Sequence, residues 1–270
     1  MPTISRSIDW ILIRQQLEMV NRMAMEDLMD LMRVVSDMGP DQARAYLLEA
    51  IPVLVDTYGG AASELSVAWW DDLFQGVEGI PDTVPPRLPP IEQITAQIRW
   101  GTSPMYSDGD PVTRLASMLQ QHIFGAQRNT VVDNSKLLGV RYARHARGDA
   151  CGFCRVVASR GAVYGSAARA KYVGATGSTA HYVDGSARGR RIKRGRVRGV
   201  QKAGEKYHDH CRCVVGPEAS HLDLALPDYY DRFEAEYDQA VRLLDRETDH
   251  RGNYNMSDIT RAMRSLGLAA

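Results

Sequence analysis

The sequence is short of cysteine, with four in 270 residues, and it has no long apolar run. Four cysteines are too few for a disulfide-built secreted scaffold and suit a product of the reducing cytosol. A bilayer-spanning helix needs roughly 18 or more consecutive apolar residues, and no stretch of the chain supplies them. The start, MPTISRSIDW, has no basic segment leading into an apolar one, so no signal peptide is expected. An internal repeat is missing too. What is present is 44% hydrophobic residues, enough for a core, and 24% charged ones, which excludes a fibrous or wholly disordered chain. The length suits one large domain or two ordinary ones.

Net charge is zero as well, but the balance hides a division. Residues 141–212 hold 17 Lys+Arg against 4 Asp+Glu, a net of +13, and the remainder carries −13. Charge separated by block implies separate partners, separate faces, or acidic ends that neutralise a basic middle within one fold.

Helical periodicity dominates the first hundred residues. Trp10, Ile13, Leu17, Val20, Ala24, Leu28, Leu31 and Val35 recur at steps of three and four, the spacing of one helix face. Met19, Met23, Met25, Met29 and Met32 widen that face; the simple reading is a bundle core in which Met fills gaps, the other a docking surface for a partner helix. Gly39-Pro40-Asp41 ends this helix and starts a second, on which Leu47, Ile51, Leu54, Tyr58, Ala61, Leu65, Trp69 and Leu73 continue the pattern to about residue 75. Pro52 and Gly59-Gly60 are expected to kink or divide it. Residues 76–90, with five prolines, read as an extended linker or a wrapping arm. Helices are expected over 91–100 and 111–134, a strand around Val140 and Tyr142, and a long polar, Gly-rich excursion over 161–204. Order should resume at Tyr207, and the acidic tail predicts helices at about 228–248 and 257–266, the last with Ser257 as N-cap. The fold class is therefore α+β and mostly helical. A helical N-terminal region (1–100, with the arm at 76–90) is followed by a small α+β domain at 101–216, with a Cys/His cluster and a long basic loop, and by an acidic helical tail at 217–270.

The chemistry lies in two short segments. Cys151-Gly-Phe-Cys154 and Tyr207-His208-Asp209-His210-Cys211-Arg212-Cys213 contain all four cysteines. A Cys-x-x-Cys turn aims two sulfurs at one point, and His-x-x-Cys-x-Cys can supply the other donors of a tetrahedral Zn²⁺ site. Cys151, Cys154, His208, His210, Cys211 and Cys213 are thus candidate ligands for a structural zinc that ties together the ends of the basic loop. The same residues also fit packed thiols or later disulfides, and, third, a Cys–His nucleophile and base; no third, orienting group for catalysis can be named. His122, in the predicted 111–134 helix, reads as a satisfied or exposed helix residue rather than a ligand, and His181, His221 and His250 stand outside any ligand cluster.

Between the two segments, Ser186 to Gly199 carries seven cations and no acid. Arg188, Arg190, Arg191, Lys193, Arg194, Arg196 and Arg198, with Lys202 beyond them, form a run that binds polyanions by counterion release without reading sequence. Its glycines argue against a groove-reading helix. A solvated or internally paired loop, or an acidic patch on a protein partner, would use the same charges.

Cys151-Gly-Phe-Cys154 followed by Ala158-Ser-Arg-Gly-Ala-Val-Tyr164, with the closing Tyr207-His-Asp-His-Cys-Arg-Cys213, resembles the MuF-like minor head proteins of tailed bacteriophages, in particular the branch found in phages of actinobacteria. Ala61-Ala-Ser-Glu-Leu65 leading to Ala68-Trp-Trp-Asp-Asp72 is similar to the helical region that precedes the domain there, so the resemblance covers roughly residues 40–215. It implies a virion component made in the host cytoplasm and placed at the portal vertex of the phage head. Its partners would be the portal protein, capsid or scaffold proteins and packaged double-stranded DNA, with no membrane, and its work would be head assembly and DNA packaging or ejection. Proteins of that branch are often labelled capsid maturation proteases; an enzyme of that kind would use Cys211 or another nucleophile with His208 or His210. No Ser/His/Asp or Ser/Lys arrangement accompanies the label in this sequence, so the expected role is structural. A third class is a free protein that binds nucleic acid non-specifically.

Overall fold

The computed structural model describes residues 6–7, 10–107, 109–159, 211–218, 222–223, 229–247, 254 and 256–268. The basic run from Arg188 to Lys202, together with His181, His208, His210, His221 and His250, lies outside the described residues. Among the described residues there are seven helices and two small sheets, a mostly helical α+β fold.

The N-terminal region is built on α1 (Trp10–Val34) and α2 (Pro40–Phe74). On α1 the three-four spacing turns Trp10, Ile13, Leu17, Ala24 and Leu28 inward. The methionines do not all follow them. Met25 and Met32 pack against the core, whereas Met19, Met23 and Met29 are exposed, at 59%, 50% and 44%. The expected gap-filling role therefore fails for those three, because a 25-residue helix docked along one side has an outer face as well.

Pro40 opens α2 at its first turn, where the missing N–H costs nothing and its fixed φ suits the helix. The helix then runs unbroken for 35 residues through Pro52 and Gly59-Gly60, against the expected kink or division. Buried Leu47, Ile51, Leu54 and Val55 flank the proline, and Ala62, Ser66 and Trp70 follow the glycines. Packing along the whole length outweighs the local cost of about 3 kcal/mol for an interior proline. Ser66 is accommodated by donating to the Ala62 carbonyl one turn back.

Residues 76–90 form an extended arm that lies over α2 and α4 (Val112–Leu138), the wrapping alternative of the two expected. Asn134 on α4 grips it as a neighbouring strand would. The Val84 N–H donates to Asn134 Oδ1 at 2.9 Å, and Asn134 Nδ2 donates to the Val84 carbonyl at 2.8 Å. Thr83 donates to Asp71, from the Trp-Trp-Asp-Asp segment of α2. Between the arm, α2, α3 (Ile91–Gly101) and α4 is a cleft of about 420 Å³, with Leu88, Gln97, His122 and Arg128 on its walls. There His122 Nε2 meets Gln97 Oε1 at 2.8 Å, and burial lowers the His122 pKa.

Helix α4 is the axis of the molecule, contacting α1, α2, α3 and both strands of the main sheet. Its C-terminus closes on Gly139 in the left-handed conformation (φ 66°), with the Val140 N–H returning to the Ser135 carbonyl. That turn launches β2 (Arg141–His145), which pairs antiparallel with β3 (Val214–Glu218), Arg141 opposite Glu218 and His145 opposite Val214. A two-residue parallel bridge joins β1 (Arg6–Ser7) to β4 (Leu222–Asp223). The short α5 (Gly152–Ala158) follows β2, and α6 (Tyr229–Glu247) and α7 (Met256–Ser265) pack against it. Ser257 falls inside the first turn of α7 rather than at its cap. Among the described residues, no helix is long and apolar enough to cross a membrane.

Candidate functional site: a buried cysteine cluster

Three elements converge on one small core. Helix α5 contributes Cys154 and, at its N-cap, Cys151. The lead-in to β3 contributes Cys211 and Cys213, and Tyr230 and Phe233 of α6 cover them with Ala146 and Ala158. The Sγ atoms of Cys154, Cys211 and Cys213 all lie within 4.8 Å of one another, and those of Cys154 and Cys211 are 3.6 Å apart. Each of these three residues is 2–3% exposed, and Cys151 is half-buried beside them. No disulfide links them.

The sulfurs share protons unequally. Cys154 is pushed up, chiefly by its hydrogen bond with Cys151 and then by those with Cys211 and Cys213 and by burial. Cys211 goes the other way. It is lowered by hydrogen bonds from Cys154 and Cys213, against the effect of burial, and further by the charges of Arg128 and Arg144. Cys213 stands at about 12: the Cys154 contact would lower it, but the Cys211 hydrogen bond, burial and the Cys211 charge override that. Of the three buried thiols, Cys211 is thus the one whose deprotonation its surroundings, the two guanidiniums among them, favour.

Those guanidiniums are themselves buried, at 3% and 2% exposure. Arg128 on α4 donates from Nε to the Cys213 carbonyl at 2.9 Å and from Nη2 to the Cys211 carbonyl at 2.7 Å. Next to it Gln127 forms a two-way bond with Val215, donating to the carbonyl at 2.6 Å and accepting from the N–H at 3.0 Å. One turn of α4 thus fixes both the cysteine segment and the strand that follows.

A second buried group adjoins the cluster through β2. The His145 ring stacks on Trp10 at 3.7 Å between centroids and 14° between planes. Its Nδ1 lies 3.1 Å from the Tyr230 hydroxyl, and that hydroxyl donates to the Arg144 carbonyl at 3.1 Å. Arg14 of α1 donates to the His145 and Ala146 carbonyls. Burial, aided by the Arg14 charge, lowers the His145 pKa to about 3, so the imidazole is neutral. On the other side Arg155, next to Cys154, reaches both carboxylate oxygens of Glu236 at 2.9 Å and the Leu268 carbonyl at 2.7 Å, tying α5 to α6 and to the turn that follows α7.

Of the six candidate ligands, the structure brings together the sulfurs of Cys154, Cys211 and Cys213, with Cys151 packed on the same core outside their triangle; His208 and His210 lie outside the described residues. Arg128, Arg144, His145 and Tyr230 were not singled out by the sequence. A signal existed for α4, where Gln120, Gln127, Arg128, Thr130 and Asn134 put polar groups at the spacing of a buried face. None existed for His145, whose setting depends on Trp10, 135 positions away in the chain.

The chain belongs to the VG15 protein family, a family of viral proteins, whose model matches residues 6–240. The match runs from β1 through most of α6 and includes the whole cysteine cluster. No curated protein and no solved structure matches the chain.

Proposed function

We propose that this viral protein is a structural minor capsid protein of a tailed phage, acting at the portal vertex in head assembly and in DNA packaging or ejection. The observation that carries the reading is the meeting of Cys154 and Cys211, 57 positions apart, at 3.6 Å. The sequence between these two anchor points includes the run from Arg188 to Lys202. A core of this kind suits a fastening: a structural zinc ion held by Cys154, Cys211 and Cys213, with a fourth donor from Cys151, His208 or His210. Closing a segment of that length stabilises the fold by about 4 kcal/mol in the chain-entropy model. The fastened segment would then meet packaged DNA through phosphate contacts. Family membership and the resemblance of the two cysteine segments to MuF-like proteins support the same assignment.

The protease alternative, with Cys211 as nucleophile and His208 or His210 as base, fits less well. Cys211 is 2% exposed, under the aromatic rings of α6, so a peptide carbonyl has no approach to its sulfur. The deciding experiment is composition of purified particles. Quantitative mass spectrometry of heads should find the protein in a few copies that fractionate with the portal, and a phage lacking it should yield heads defective in DNA content or delivery. Full particles with no trace of the protein would refute the assignment.

A further inference from the structure

We infer that the cluster is a closed four-sulfur zinc site, Cys151, Cys154, Cys211 and Cys213, whose charge is matched by the buried guanidiniums of Arg128 and Arg144. The inference rests on the fastening read above and specifies its ligands. Four thiolates around Zn²⁺ at about 2.3 Å place neighbouring sulfurs about 3.8 Å apart. The Cys154–Cys211 separation of 3.6 Å is close to that edge, and far from a disulfide bond of about 2.05 Å. Cys213 completes a triangle whose sides are all within 4.8 Å. Cys151 lies outside that triangle but is the fourth corner we assign, because it caps α5 three positions before Cys154 and packs on the same core, so that a Cys-x-x-Cys turn can bring its sulfur in on metal binding.

Charge selects the same set. Four thiolates with one Zn²⁺ carry −2, and two buried arginines lie on the elements around them, Arg128 bonded to the Cys211 and Cys213 carbonyls and Arg144 on the strand that pairs with β3, its charge felt by both thiols. Ionic groups kept from water need compensation close at hand, and here the match is one for one. With every corner taken by protein, no open position remains for substrate or water, so the metal is architectural. Arg128 is a positioning residue, because it orients the carbonyls of two ligands from behind.

X-ray absorption at the zinc edge, on the full chain purified without chelator, reads the ligand set directly. About one zinc per chain with four sulfurs at about 2.3 Å is expected. Three sulfurs and one nitrogen at about 2.1 Å would overturn the four-sulfur set while sparing the fastening; absence of zinc would overturn both. The variant carrying His208→Ala and His210→Ala should keep zinc affinity and first shell unchanged, and a lost zinc there also sinks the assignment. For the charge match, chelator competition should show affinity falling by about tenfold or more in Arg128→Met, with the four-sulfur shell retained, and largely restored in Arg128→Lys. Equal affinity in all three proteins would remove Arg128 from the site.

Discussion

At the scale of single residues, Trp10 explains two positions that look unremarkable in the sequence. Its indole lies on His145 and fills the space above Gly216, so that a Cβ at 216 would fall inside the ring. Gly216→Ala is expected to destabilise the protein by about 3 kcal/mol, the upper part of the usual range for overpacking, measured by denaturant unfolding. His145 supplies a pH dependence whose sign is fixed. Its folded pKa of about 3 lies below the ordinary 6.5, so the unfolded chain binds the proton more readily and stability is lost as the pH drops from 6.5 towards 3. By pH 4.5 the loss should reach about 3 kcal/mol. His145→Phe keeps a flat ring against Trp10 and cannot be protonated, so its stability curve over pH 6.5 to 4.5 should be distinctly flatter. The indole's role was unreadable in advance for a simple reason: periodicity places Trp10 on the inner face of α1 but does not say which residues of a distant strand it will meet.

At the scale of elements, polar side chains substitute for strands. Asn134 holds the proline arm and Gln127 holds β3, each by the donor–acceptor pair that a neighbouring backbone would offer. Asn134→Ala should cost about 2 kcal/mol, since it leaves Val84 N–H and C=O without these partners, and should speed hydrogen exchange over residues 76–90 more than elsewhere. The Arg155–Glu236 pair is the corresponding fastening of α6, with side chains 14% and 8% exposed. Glu236→Leu should cost about 3 kcal/mol by leaving a guanidinium under-compensated, and should raise proteolysis of the C-terminal helices first. The helices themselves were largely legible: α1, α3 and α4 fall close to where the three-four spacing and the Gly or Pro punctuation put them. The continuity of α2 was not, because the favourable packing that carries it through Pro52 comes from other helices. The outward-facing methionines of α1 were missed for the same reason, since periodicity gives a face its width only when the neighbours are known.

For the whole molecule, the cysteine motifs pointed to a meeting of the two segments but not to what surrounds it. Cys-x-x-Cys and Cys-x-Cys announce a cluster by themselves, whereas its setting of α4 guanidiniums and α6 aromatics is a product of tertiary assembly. The charge division has a measurable consequence under the proposed function. DNA affinity of the full chain should fall steeply with salt, and replacing Arg190, Arg191, Lys193 and Arg194 by Gln should reduce the log–log slope by roughly 3 to 4. An unchanged slope would place the DNA contact elsewhere or remove it. The connection at Cys211 also has a mechanical side. Ser159 and Cys211 are the two points at which a pull applied between residues 160 and 210 would reach the described fold. On one side the tension passes through α5 to the Arg155–Glu236 pair. On the other it passes through the Cys211 and Cys213 carbonyls to Arg128, and so to α4, the helix on which most of the fold is packed. Under the proposed function, a tug on the basic segment would be passed to the body of the protein through those side chains, as along a tether.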